Sequence, residues 1–188
     1  MRRKDREMSQ AFAYDVIDRA AYGVLSMIDN EGMPYSIPLS LVRDGDNLYF
    51  HGAKEGTKNT LIYGNEGKKV QAVFVTDVQV PALYSDEELA DYIAEGTIEK
   101  YTSKVFTTEF ASAIVVGKVK VVQEDEEKKQ ALRLLCQKYT PEKMNLVEVS
   151  LPHSLPRTEV FRIEIEKVTA KRKKYDAHRQ EMKWERMQ

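Results

Sequence analysis

The stretch Tyr49-Phe50-His51-Gly52-Ala53-Lys54-Glu55-Gly56-Thr57-Lys58-Asn59 carries the chain's best set of groups for holding an anion. An extended run, Asn47 to Phe50, ends in His51 and the small residues Gly52 and Ala53, and Gly56 then opens a segment over 57–65 with a helical pattern. The first turn of a helix leaves backbone N–H groups free and carries the positive end of the helix dipole. Lys58 in that turn and His51 at the strand end are therefore expected to converge on one phosphate. The other reading of the same residues is a histidine and a lysine that are solvated or bonded locally. Elsewhere the side chains offer little chemistry. His51, His153 and His178 show no His-x-x-x-His pattern and the chain has no Cys-x-x-Cys, so no metal site is expected. There is no Gly-x-Ser-x-Gly elbow, and the lone Cys136 lies in the helical run Lys128 to Cys136, where it reads as a small apolar side chain on a packed face. Difficult chemistry would have to come from a bound cofactor.

The elements that must position these residues are legible from periodicity. Ser9 is a candidate cap for a helix to Ala20, with Phe12, Val16, Ile17 and Ala20 on one face. Tyr22 to Ile28 and Tyr35 to Val42 are two β-like runs joined by the turn-rich Asp29-Asn30-Glu31-Gly32-Met33-Pro34. A second turn at Asp44-Gly45-Asp46 leads into the strand that delivers His51, and Val70 to Val75 reads as a fourth, buried strand. Between about Asp77 and Lys104 the pattern loosens into a long connection, either a lid or a packed helix, in which Ser85 to Ala94 reads as a capped, acid-started helix. Strand character returns over Phe110 to Val122, a Leu- and Ala-rich helix is expected over 124–138 with another starting at Tyr139, and Glu159 to Val168 alternates with period two. Six or seven strands with few intervening helices predict a small antiparallel barrel, mainly β with flanking helices.

Composition bounds the rest. With 188 residues, 42% hydrophobic and 31% charged, the chain fits one domain with an appended arm, and a formal net charge of −1 gives no global pull toward nucleic acid or an anionic membrane. No apolar run is long enough to span a bilayer, and the basic start Met1 to Arg6 is not followed by a signal-peptide core, so a cytoplasmic protein is expected.

The succession Gly23-Val24-Leu25, Gly32-Met33-Pro34-Tyr35-Ser36-Ile37-Pro38-Leu39, the Tyr49–Asn59 stretch and a Ser-containing strand ending in Gly117 resembles the FMN-binding split-barrel proteins related to pyridoxamine 5′-phosphate oxidase. Within them it resembles the nitroimidazole-resistance (Nim-type) reductases, over roughly residues 1–172. The resemblance implies an FMN-binding split β-barrel of Greek-key type, active as a homodimer with flavin at the subunit interface. It implies phosphate and ribityl contacts from His51, Gly52, Ala53, Lys58 and Asn59, and backbone contacts to the ring from Ser36, Ile37, Pro38 and Leu39. Ser112 is implied as a further flavin contact, although Phe110-Ala111-Ser112-Ala113 departs from the Tyr-x-Ser-Val of relatives. His51 is implied to lie near flavin and substrate, as the candidate catalytic residue. The activity implied is reduction of a small nitroaromatic acceptor with NADH or NADPH as donor. Alternatives are a non-catalytic flavin- or haem-binding module and, below it, pyridoxamine phosphate oxidase-like activity.

The split-barrel domain is expected over 1–170 and a basic tail over 171–188. The run Lys171 to Trp184 reads as a solvated helical segment packed on the body or on a partner subunit, with nucleic-acid binding as the weaker alternative. The family resemblance adds Lys171 and Arg172 as flavin contacts.

Overall fold

The structure, a computed structural model, describes residues 2–184. In chain order its elements are β1 (Glu7–Met8), α1 (Gln10–Arg19), β2 (Gly23–Ile28), β3 (Pro34–Leu39), β4 (Val42–Asp44), β5 (Asn47–Ala53), α2 (Thr57–Gly64), β6 (Lys69–Gln79), α3 (Asp86–Ala94), α4 (Thr102–Val105), β7 (Glu109–Val121), α5 (Asp125–Tyr139), α6 (Val147–Ser154) and β8 (Thr158–Lys173). The expected helix starts are present. Ser9 accepts the Phe12 N–H at 3.2 Å, and Ser85 and Glu88 form a reciprocal capping box.

The strands form one antiparallel sheet in the order β3-β2-β6-β7-β8-β5-β4, with β1 added to β8. β3 and β4 stand at opposite ends of this order, yet only Ser40 and Leu41 separate them in sequence. The sheet must curl until its two ends lie side by side, and no ladder joins them among the described residues. The result is a split barrel. The single strand expected over Tyr35 to Val42 is broken at this seam. Tyr139 holds it: the hydroxyl accepts the Leu41 N–H at 2.9 Å and lies 2.8 Å from the Leu41 carbonyl, which also takes the Lys138 ammonium at 3.0 Å. Tyr139→Phe leaves a buried backbone N–H at the seam without its acceptor, and is expected to lower unfolding free energy by about 1–3 kcal/mol in a denaturant titration.

Inside the barrel, Leu25, Leu48, Phe50, Phe74, Val115, Phe161 and Ile163 pack with Val16 and Ile17 of α1 and Ile62 of α2. Phe50 and Phe161 stack at 5.1 Å between ring centroids. A second core lies on the other face of the β4–β5–β8 end, where Val42, Tyr49 and Val160 meet Ala131, Leu132 and Leu135 of α5 and Val147 and Leu151 of α6.

The connection over 79–104 is neither bare loop nor core helix. α3 buries no residue; instead Tyr84, Tyr92 and Tyr101 cluster with centroids 4.0–5.9 Å apart. The C-terminal segment differs from its expectation. Rather than a helix starting at 171, β8 continues to Lys173, because Phe110, Ala111 and Ser112 of β7 offer a ladder to Lys173, Arg172 and Lys171. Backbone partners in a sheet outweigh the weak helical preference of a basic run. Residues 174–184 form turns held to the body by Arg6 to Glu181 and by Arg179, which pairs with Glu88 at 2.6 Å and lies 4.9 Å over the Tyr84 ring. Residues 185–188 of the expected tail lie outside the described residues.

Candidate functional site

The site is governed by strand alternation in β5. Leu48 and Phe50 face the barrel interior and Tyr49 faces α5 and α6. His51 therefore turns its ring toward the helices, whereas Gly52 turns toward the barrel side. A Cβ on Gly52 would fall 2.2 Å from Nζ of Lys58, so the lysine occupies the space that the missing side chain leaves. Its ammonium donates to the His51 carbonyl at 3.3 Å. The expected meeting of His51 and Lys58 is thus between the His51 backbone and Lys58, with the imidazole on the opposite face.

Around Lys58 the cradle is well defined. Gly56, with φ of +113°, precedes α2, and its carbonyl takes the N–H groups of Asn59 and Thr60 at 3.0 and 3.2 Å. The N–H groups of Thr57 and Lys58 precede the first helical hydrogen bond and are the free donors of that turn. Asn59 is 1% exposed; its Nδ2 donates to the Ala53 carbonyl, while its Oδ1 is buried without a partner. An unmet buried acceptor costs stability unless a ligand or water donates to it. Burial lowers the Lys58 pKa, and an arriving anion would favour the charged form and offset the cost of burying it.

The remaining expected residues divide between two faces. β3 is an end strand paired only with β2, and its two prolines suit an edge because neither donates to a ladder. Ser36 lies opposite Ser26, their hydroxyls 2.8 Å apart. The register aligns Pro38, Val24, Val73, Ile114 and Thr169 across five strands, and Val75, Ser112 and Lys171 across three. Ser36, Pro38, Ser112 and Lys171 therefore share the outer sheet face. Ile37 and Leu39 pack against the interior instead, and Arg172 sits 5.5 Å over the Phe12 ring, on the α1 side.

The His51 ring lines a cavity of about 310 Å³ between β5, α5 and α6. Its walls include Leu132, Leu135, Val147 and Leu151, with Cys136 and the hydroxyls of Ser40, Ser150, Ser154 and Thr158. Cys136 is partly exposed here rather than fully packed. Burial and the nearby Lys58 cation lower the His51 pKa below the ordinary histidine value, which keeps the ring neutral near pH 7. Sequence reasoning missed this cavity: the apolar stripe of α5 is visible, but the surface it faces is not.

A sequence profile of the family described as pyridoxamine 5′-phosphate oxidase matches residues 9–104 and 88–172. The chain belongs to that family. Solved structures with the same fold include a candidate 5-nitroimidazole antibiotic resistance protein from Bacteroides thetaiotaomicron, at 21% identity and TM-score 0.61, covering 88% of this chain and 85% of that one. A FAD and haem binding protein from Mycobacterium smegmatis aligns at 17% identity and TM-score 0.65, covering 89% and 73%. A flavocytochrome from Azotobacter vinelandii aligns at 15% identity and TM-score 0.58, covering 88% and 68%. At these identities the likeness is one of fold. No curated protein matches the chain. No helix among the described residues is long and apolar enough to cross a membrane.

Proposed function

We propose that this family member is an FMN-dependent oxidoreductase of the Nim type, reducing a small nitroaromatic or related acceptor with NADH or NADPH in the cytoplasm. The observation that carries the reading is the Lys58 ammonium standing in the Cβ space of Gly52, beside the buried, unpartnered Asn59 Oδ1. Lys58 and the first N–H groups of α2 hold the phosphate, and Asn59 Oδ1 accepts a ribityl hydroxyl. The open edge of β3 around Ser36 to Leu39 offers carbonyl and N–H groups to the ring, with Ser112 and Lys171 on the same sheet face. Bound FMN supplies the hydride and electron chemistry that no side-chain set of this chain provides. A homodimer with flavin at its interface is part of the proposal; the support is the apolar outer face, where Ile28 is 52% and Val75 48% exposed.

An absorbance spectrum of the purified protein, with the chromophore released by denaturation and FMN added back to colourless protein, tests the cofactor. A stoichiometric flavin spectrum supports the site, and failure to take up FMN on reconstitution removes it. Steady-state oxidation of NADH or NADPH with a nitro or quinone acceptor tests the enzyme; bound flavin without turnover would leave a binding module. A second reading, haem binding, draws on the neutral His51 ring, which no hydrogen bond engages among the described residues and which suits a metal ligand better than a general acid. A Soret band in the same spectrum decides for it.

A further inference from the structure

We propose that the cavity between β5, α5 and α6 is a second ligand site, separate from the cofactor cradle, that takes a small apolar monocarboxylate with its carboxylate at His51. The two sites lie on opposite faces of β5: Gly52 turns to Lys58 on one side and His51 to the helices on the other. A volume of about 310 Å³ with walls of Leu132, Leu135, Val147 and Leu151 admits a short acyl chain. Its apolar walls, with no lysine or arginine among them, do not suit a nucleotide.

The head group follows from the polar atoms present. Among the described residues no hydrogen bond engages the His51 ring, and it is the only nitrogen donor among the lining side chains. The other lining polar groups are hydroxyls and one thiol, which donate to a carboxylate as readily as to water. Among the described residues no acidic side chain lines the cavity. The titratable groups facing the space are His51, Cys136 and Tyr139, with Lys58 the charged neighbour that acts on His51. Tyr139 is already committed to Leu41. A carboxylate at His51 favours the imidazolium, so binding takes up a proton and tightens as pH falls toward the free ring's pKa.

Cys136 is the only cysteine of the chain and lines the cavity, so it reports occupancy without any cofactor. Octanoate, titrated calorimetrically into the full chain, is expected to bind one to one and more tightly at about pH 6 than at about pH 7.5. At ten times its Kd, it should slow Cys136 alkylation by iodoacetamide about tenfold, as measured by mass spectrometry. His51→Gln should weaken binding and remove its pH dependence, whereas Lys58→Met, on the cradle side, should leave octanoate binding in place. The proposal is overturned if octanoate shows no binding heat at millimolar concentration. Binding that leaves the alkylation rate unchanged overturns it too, since the ligand would then sit elsewhere. A protein that binds octanoate but takes up no FMN on reconstitution would keep this site and remove the cofactor reading; a flavoprotein that ignores octanoate would do the reverse.

Discussion

Replacing Lys58 with methionine is expected to weaken FMN binding by about 10- to 150-fold, the equivalent of roughly 1.5–3 kcal/mol for a hydrogen bond to a charged group. Methionine keeps most of the stem over Gly52 and removes the cation, so the loss reads the phosphate contact rather than the packing. In the free protein the ammonium rests on the His51 carbonyl at 3.3 Å, a long bond that is readily exchanged for a phosphate oxygen. Gly52→Ala makes the same point from the opposite side. Its Cβ would collide with the far end of the lysine, 2.2 Å from Nζ and 2.8 Å from Cε, which can swing away. The variant should therefore fold normally and bind FMN less well. His51→Ala should spare FMN affinity, because its ring leaves the strand on the other face. Fluorescence titration of FMN into the three variants checks the set. A Lys58→Met protein with unchanged affinity would sink the cradle assignment.

Gly117→Ala is expected to cause the largest loss of stability of any single methyl group added to this barrel. A Cβ there would stand 2.2 Å from the Glu164 carbonyl oxygen and 2.8 Å from a methyl of Ile163. The clash is with backbone at a register shift, where Val116 faces Lys167 and Gly117 faces Ile165. β7 and β8 form the spine of the sheet, so neither strand can retreat without breaking its other ladder. The expected cost is about 3 kcal/mol, the upper end for overpacking. For a domain of this length that is a fall in Tm of roughly 6–12 °C. Differential scanning calorimetry measures it. A shift of a degree or less would mean that the bulge relaxes freely.

Much of the fold was legible because its signals are local. The clean alternation of Glu159 to Val168, the capping residues Ser9 and Ser85 and the turn at Asp29 to Pro34 each act within a few residues, and each appears where it was read. The closeness of Gly52, Lys58 and Asn59 follows from the same short range, since they flank one strand-to-helix junction, whereas the expected approach of the His51 ring to Lys58 did not hold because the ring leaves the strand on the other face.

What the sequence determined by itself is this set of elements, the apolar face of each and the glycine-opened turn between β5 and α2, since backbone propensity, period and helix-end chemistry are short-range. Only the tertiary structure decided which faces meet. Period two says that His51 and Gly52 point apart, but not that one meets α5 and α6 while the other meets Lys58. The pairing of Lys171 to Lys173 with β7 overrode a helical reading of the tail. The rows that bring Ser36 and Pro38 onto the face shared by Ser112 and Lys171 exist only through register across strands distant in sequence. The physical reason is that a strand's pattern specifies how much of it is buried and on which side, whereas its partner is chosen by the packing of the whole sheet.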